Sequence, residues 1–570
     1  MVQTRALRWL PGVVIVAVQW LLWLVIPLIA PGDSTLLAGV AGGMVGGLAV
    51  LLWWAFFSRA PGVERWGAPV LMAVALAVAS RFIHVSIRTG NMGLMFALYA
   101  IPVMSLAFVV WAAGTRNLPD KVRRAALVAT VLLASGGWIL VRNDGITGHA
   151  GTLFTWRWAP TAEEKSEAVL DREAMSLPGV EATTIRPGAD WPGFRGADRD
   201  GVARGLRIAA DWSARPPKEL WRRPVGPGCS SFAVRGGLLY TQEQRGAEEV
   251  VACYHLDSGK PAWRHGDAAR FYDSHAGAGP RATPTLDGAR VYALGATGIL
   301  NALDARSGSV VWSRNAARDT ESEPPNWGMA GSPLVLGDAV IVSVSGALAA
   351  YDLATGGLRW RRLGGGKGYS SPHRIAAQGS TQILFMNQEG AQALAPTDGA
   401  VLWKLPWPGE DRIVQPAVTA EGDLILGGGG MDYSIRRLAI SRAAEGWTVS
   451  QRWASRALQP NFNDTLIHDG HAYGYLGPRL ACLDLKDGKK CWQGAPDAGF
   501  TLLMPEQGLI LVLSEKGELV LVEAKPGKYT ERARMKALTG KTWNHPALAG
   551  DILLVRNAQE MAAYRLPREI

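Results

Sequence analysis

The sequence predicts two architectures in series: an N-terminal all-α transmembrane bundle of about five helices, then an all-β eight-bladed propeller. Three observations carry this. Before Val141 long apolar runs follow one another, whereas after it apolar residues alternate over short segments broken by Gly, Pro and Asp. Trp returns at positions 221, 263, 312, 360, 403, 453 and 492, at intervals of 42, 49, 48, 43, 50 and 39 residues. The strand around the first of these stands alone, ahead of the first complete unit, and the chain ends in strands that lack an outer neighbour. The predicted divisions are a helical domain over 1–141, a linker with a short helix over 142–190, and the propeller over 191–570.

A helix that crosses a membrane needs roughly 20 mostly apolar residues, because the hydrocarbon core is about 30 Å thick. Residues 10–30, 35–57, 67–87, 93–113 and 124–141 meet that length. The first is too long for the apolar region of a cleaved signal peptide and reads as a retained span. Arg5 and Arg8, then Arg59 and Arg65, then Arg116, Lys121, Arg123 and Arg124 occupy alternate connections. That alternation predicts a cytoplasmic N-terminus and, after an odd number of spans, a periplasmic propeller anchored in a bacterial inner membrane. Arg81 and His84 fall near the outer end of the third span, where snorkelling to the interface is preferred over a proton or quinone site inside the bundle. The net charge of +10 is spread along the chain rather than gathered on one face, which excludes nucleic acid as a partner.

In the linker, Trp156 and Trp158 suit a membrane interface, and Thr161 with Glu164 matches a capping box that predicts a surface helix to about Met175. The repeat begins after it. Leu303-Asp-Ala-Arg-Ser-Gly308 ending at Trp312, and Tyr351-Asp-Leu-Ala-Thr-Gly356 ending at Trp360, each read as a strand, a tight turn whose Gly supplies positive φ, and an outer strand carrying the Trp. A further alternating pair precedes each phrase, which makes four strands per unit. The seventh unit, 501–535, lacks the Trp. The eighth is split, with inner strands from 545–566 and an outer strand from 219–225, so that no edge stays open.

The Leu-Asp-x-x-(Ser/Thr/Asp)-Gly-x-x-x-Trp phrase resembles the repeat of pyrroloquinoline-quinone-type (PQQ-like) propellers, and Trp191-Pro-Gly-Phe-Arg-Gly196 looks like the entry segment of many bacterial members. The resemblance covers about 191–566 and implies two branches. One is the quinoprotein dehydrogenases, whose membrane-bound glucose-oxidising members also place helices before a propeller and use PQQ with Ca2+. The other is a cofactor-free binding scaffold of the outer-membrane β-barrel assembly machinery. The order of membrane helices and propeller favours the first, and the compact blades favour the second.

A quinone cofactor needs an aromatic surface to stack on and a cation held by oxygen ligands. No adjacent Cys pair is present, and Cys229, Cys253, Cys482 and Cys491 are not in metal-ligand spacing. Cys482 and Cys491 flank one hairpin, as a cross-strand disulfide or as two separate thiols. Polar residues recur where the chain enters each innermost strand, at one mouth of the channel: Ser230, Ser231, Arg281, Asn326, Trp327, Lys367, Tyr369, Ser370, His373, Arg412, Gln415, Asn461, Asn463, Asp464, Lys541, Trp543, Asn544 and His545. As a ligand site, the set offers Asp464 as general base or cation ligand, Asn461 and Asn463 as oxygen donors, and Trp327 or Trp543 as a stacking surface. As structure, it hydrates the channel and caps strand ends. Asp198-Arg-Asp200-Gly201 lacks the later ligands of a calcium loop and reads as a turn, and the repeated Trp residues read as packing between blades. The preferred function is a membrane-anchored, extracytoplasmic binding or scaffold module for a periplasmic protein or a small ligand. The alternative is a quinoprotein-like dehydrogenase that oxidises an alcohol or sugar and passes electrons to membrane quinone.

Overall fold

The computed structural model describes residues 7–29, 33–146, 152–161, 163–164, 190–409, 412–429, 432–495 and 498–569. The chain divides after Ala159 into two units.

In the first unit four helices are long and apolar enough to cross a membrane: Leu37–Phe57, Gly62–Phe82, Met95–Gly114 and Asp120–Ile139. A shorter apolar helix, Leu10–Val25, precedes them, and helical turns continue from it through Ile26–Ile29. Glycine rows let three of these helices approach. A Cβ at Gly42 or Gly46 would strike Leu22 or Gln19, and one at Gly43 or Gly47 would strike Trp23 or Ile101. The helix that carries these glycines is thereby packed on both sides, and Gln19 Nε2 donates to Gly43 O at 2.7 Å across one contact. Glu64 and Arg123, both buried, pair at the starts of their helices. Trp54 Nε1 donates to Glu64 O at 3.1 Å and Trp111 Nε1 to Arg123 O at 3.0 Å, which locks those helix ends together.

Several helix boundaries differ from expectation, among them the start of the third span, at Gly62 rather than residue 67. The third span ends at Phe82 rather than residue 87, because Ile83 is extended and His84 caps the next short helix, Val85–Arg88, by accepting from Ser86 N at 3.2 Å. Arg81 is exposed on the last turn and His84 is held as a cap, so neither forms a site inside the bundle. The fifth starts at Asp120, four residues early, because Pro119 presets the helix entry. Val141–Ile146 and Thr152–Trp156, read as linker from sequence, pair as an antiparallel hairpin in this unit.

The second unit opens with the capping box: Thr161 N donates to Glu164 Oε2 at 2.7 Å and Glu164 N to Thr161 Oγ1 at 3.0 Å. The rest of the helix expected to residue 175 lies outside the described residues. Eight antiparallel four-stranded sheets follow. Blades 1 to 7 are consecutive, with inner strands Ala233–Arg235, Thr285–Asp287, Leu334–Leu336, His373–Ala377, Ala417–Val418, Leu466–His468 and Gly499–Met504. Blade 8 runs outward from Ala547–Ala549 through Ile552–Arg556 and Glu560–Arg565 to Lys218–Pro224, which closes the ring.

The repeat residues hold neighbouring blades together. Each turn glycine sits on the Trp of the preceding blade: a Cβ on Gly259, Gly308, Gly356 or Gly399 would fall 2.5–2.7 Å from Trp221, Trp263, Trp312 or Trp360. The same indoles donate across the seam, Trp221 Nε1 to Leu256 O at 2.9 Å and Trp263 Nε1 to Ala305 O at 3.0 Å. Glycine is required there twice over, since Gly356 also has φ of 70°. Trp403 departs from the pattern and donates to Gln382 of its own blade at 2.9 Å, because blade 5 replaces the short turn with a long hairpin, Asp432–Ala443 and Gly446–Ser455.

Every inner strand runs from a mouth built by the loops between blades, here the loop mouth, to one built by the tight turns after the inner strands, the turn mouth. All four cysteines are free thiols. Trp492, not Cys491, stands opposite Cys482.

Candidate functional site

Two residues ahead of the inner strands of blades 1, 2, 3 and 5 stands a backbone N–H that must be satisfied inside the ring, where burial without a partner would cost about 1–3 kcal/mol. The next blade supplies the acceptor. Ser231 N donates to Thr283 Oγ1 at 3.0 Å, Thr283 N to Ser332 Oγ at 3.0 Å, and Ser332 N to Ser371 Oγ at 2.9 Å. Gln415 N donates to Asp464 Oδ1 at 2.8 Å, and Ser231 Oγ to His545 O at 2.6 Å. The polar residues at the strand entries thus form a girdle around the channel. Asp464 is its blade 6 member, with a carboxylate where blades 1 to 4 carry a hydroxyl.

The second oxygen of that carboxylate meets a segment that sequence reasoning did not place. Residues 190–204 form a hairpin inserted into the channel from the turn mouth. Asp190 pairs with Arg235 at 3.6 Å, and Trp191 exchanges backbone hydrogen bonds with Val234 at 2.9 and 2.7 Å. Phe194 and Arg195 reach the level of the girdle, and the return limb donates from Ala203 N to Leu503 O at 2.8 Å. At the tip Arg195 Nε lies 3.2 Å from Asp464 Oδ2, and His545 Nε2 lies 3.0 Å from the same oxygen. Arg199 donates to Ser332 O at 3.0 Å and Pro333 O at 2.7 Å. Arg195 and Arg199 both have positive φ, 60° and 58°, a strained backbone that the surrounding contacts hold.

The charges explain the titration of this cluster. Burial works to raise the Asp464 carboxyl, but Arg195 and the His545 hydrogen bond outweigh it and hold it at about 2. Burial pulls His545 below its ordinary range, against the pull of Asp464. Burial and then Arg195 lower Arg199 to about 9. Burial, followed by Arg199 and Arg195, lowers His373 to about 3. Asp464 is therefore a fixed anion, a poor proton acceptor near neutrality.

His373 makes stability pH-dependent. Its folded pKa lies below the unfolded value of about 6.5, so between those values the unfolded chain binds the extra proton and stability falls as pH falls. From pH 7 to 5 this site alone is expected to remove about 2 kcal/mol. Asp464, held below the ordinary carboxylate range by Arg195 and His545, contributes stability that is lost as pH falls from about 4 through about 2. Urea denaturation at both pH values checks this: His373→Gln should flatten the drop, and an undiminished drop would assign it elsewhere.

Apart from the Gln415 backbone N–H on Asp464, the other sequence candidates described next do not join this cluster. Arg281 is buried, pairs with Asp273 at 2.5 Å and donates to Trp327 O at 3.3 Å. Trp327 packs on Tyr369 with ring centroids 4.9 Å apart. Trp543 donates to Glu515 at 2.6 Å and lies under the Lys541 ammonium, whose pKa burial lowers to about 8. Arg412 is buried over the Trp407 ring and donates to Trp407 O. Asn463 and Asn544 cap strand entries through Gly499 O at 2.6 Å and Ser230 O at 2.8 Å, Gln415 Nε2 bonds Ile413 O at 3.1 Å, and Asn461 is exposed. Asp198 and Asp200 pair with Arg204 in a turn. Sequence reasoning missed Phe194, Arg195 and Arg199. Phe194 and Arg195 lie in the Trp191–Gly196 entry segment, and the further signal is a charged, glycine-broken stretch that alternates with neither strand nor helix period.

PQQ with a coordinating cation does not fit these residues. Among the described residues no three His, Cys, Asp or Glu side chains converge to hold a metal ion. The buried carboxylate at the girdle is already neutralised by Arg195, and Phe194 occupies the space beside His545. Beside the plug the channel retains a cavity of about 890 Å3, open at the turn mouth.

Residues 209–381 and 247–494 match the family model described as outer membrane protein assembly factor BamB. Two relatives with that name are the proteins of Moranella endobia (strain PCIT), 27% identical over 259 residues and 43% of this chain, and of Yersinia pestis, 25% identical over 267 residues and 42% of this chain. The chain spans 64% of the length of each. Among solved structures, the quinohemoprotein alcohol dehydrogenase of Comamonas testosteroni superposes with a TM-score of 0.50 at 14% identity, covering 72% of this chain and 85% of that one. At that identity the likeness shows the fold alone.

Proposed function

Because this chain belongs to the PQQ-like propeller family whose model is described as outer membrane protein assembly factor BamB, we propose that it is a membrane-anchored, extracytoplasmic binding or scaffold propeller, with a protein or small ligand as its partner. The observation that carries this reading is the plug. Its Arg195 pairs with Asp464, the carboxylate that the sequence offers as general base or cation ligand, and holds it as a fixed anion inside the ring. Alternating basic connections in the helical domain support a cytoplasmic N-terminus and a periplasmic propeller in the inner membrane. The four long apolar helices support the anchor. The proposed domain limits remain 1–141, 142–190 and 191–570.

Cofactor retention tests the reading against a dehydrogenase. Full-length protein incubated with PQQ and Ca2+ and then desalted is expected to carry no quinone absorbance and to reduce no dye with alcohols or sugars. A stoichiometric bound quinone with substrate-dependent dye reduction would overturn the proposal.

A further inference from the structure

The cavity at the turn mouth has a wall chemistry that the scaffold reading does not use. Its volume, about 890 Å3, falls within the roughly 300–1,000 Å3 of small-molecule sites. Inner strands of blades 3 to 6 supply an apolar wall of Val335, Ala376, Ala417, Val418 and Ile467. From this wall projects Arg374. On the strand His373–Ala377 buried and exposed residues alternate, and the exposed pair, Arg374 and Ala376, faces the cavity. Among the described residues Arg374 has no hydrogen-bond or ion-pair partner.

The carboxylates that line the cavity sit with other groups: Asp198 and Asp200 share Arg204 at 3.2 and 2.5 Å, Glu421 pairs with Arg437 at 3.2 Å, and Asp469, at the rim, lies 3.3 Å from His468, a contact that is an ion pair only when the imidazole is protonated. At the inner end Arg195 and Arg199 are both buried, and of the two only Arg195 has a carboxylate partner, Asp464. The potential there is positive, which disfavours a cationic ligand and favours an anion. One unpaired guanidinium amid apolar surface matches one carboxylate on an apolar body, because a planar fork binds a carboxylate through two parallel hydrogen bonds.

We propose that this cavity binds a small monocarboxylate with an apolar body, its carboxylate on Arg374 and its body against Val335, Ala376, Ala417, Val418 and Ile467. The proposal rests on the reading of the propeller as a binding module and names the ligand class.

Isothermal titration of the full-length protein in detergent, with matched detergent blanks, tests it using hexanoate, hexan-1-ol and hexylamine. Hexanoate is expected to bind saturably at one site, hexan-1-ol about tenfold or more weakly, and hexylamine not at all. Arg374→Gln and Ala376→Asp, the second of which offers Arg374 an internal carboxylate, should each weaken hexanoate about tenfold or more without moving the unfolding midpoint. Equal affinity for hexanoate and hexan-1-ol, unchanged affinity in Arg374→Gln, or a flat hexanoate titration would each overturn the proposal. The two readings fail separately: a retained quinone removes the binding-module reading, whereas a flat hexanoate titration with no retained quinone removes only the ligand assignment.

Discussion

Deleting residues 560–570 is expected to abolish the folded propeller, although it removes only the last strand and tail. Glu560–Arg565 lies between Ile552–Arg556 and Lys218–Pro224, so its loss strands the closing segment and exposes the edge of blade 8. Met561, Ala562, Ala563, Tyr564 and Leu566 are all buried in the largest core cluster. Full burial of Met or Leu alone is worth about 1.5–3 kcal/mol each, and whole domains are stable by only about 5–15 kcal/mol. The Tyr564 hydroxyl also donates to Ala537 O at 2.9 Å, a bond between blades 7 and 8. Limited proteolysis checks the result: the truncated chain should be digested throughout 191–559, and a resistant core of native size would show that closure is dispensable.

Substituting Arg195→Met should destabilise the propeller by about 3–5 kcal/mol, the usual cost of leaving one member of a buried ion pair without its partner. Asp464 would keep the neutral Gln415 N–H and His545, which burial holds below its ordinary range and which therefore offers little charge at neutral pH. The carboxyl would then rise from about 2 toward protonation. Adding Asp464→Asn removes the orphaned charge and should recover part of the loss, so a double-mutant cycle in urea should give a coupling energy well above that of an exposed pair, about 1 kcal/mol or less. Strict additivity of the two single changes would show that the pair does not interact.

How far the sequence reveals this molecule depends on whether a residue's role is repeated. The Trp and Gly of each blade recur because every seam presents the same geometry, so their spacing exposes the architecture, down to the displaced strand at Trp221. The polar strand entries are also repeated, but composition alone does not separate a girdle from a ligand site. That distinction needs the hydrogen bonds from Ser231 to Thr283 and from Gln415 to Asp464. The plug occurs once and lacks periodicity, so the sequence marks 191–196 as an entry segment and 198–201 as a turn without placing either inside the channel. Arg374 is hidden for another reason: inner strands of two to six residues are too short for alternation to say which side faces the channel. The early end of the third helix turns on a single cap at His84, a local competition between backbone and side chain that hydropathy averages away.

The plug also decides how mechanical load enters the ring. The closing strand, Lys218–Pro224, is outermost in blade 8, and a pull applied directly to its start would unzip it one hydrogen-bond pair at a time. Any tension from the N-terminal side meets Glu163 on Arg270 and Asp190 on Arg235, then Trp191, locked to Val234, and then Arg195 on Asp464 and Ala203 on Leu503. Ala209, held to Pro567 O at 2.7 Å, stands between these contacts and the closing strand. Force is thus spread over blades 1, 6 and 7 before it reaches the one strand whose loss would open the circle, and the weakest seam is shielded from peeling by a fastener inside the ring.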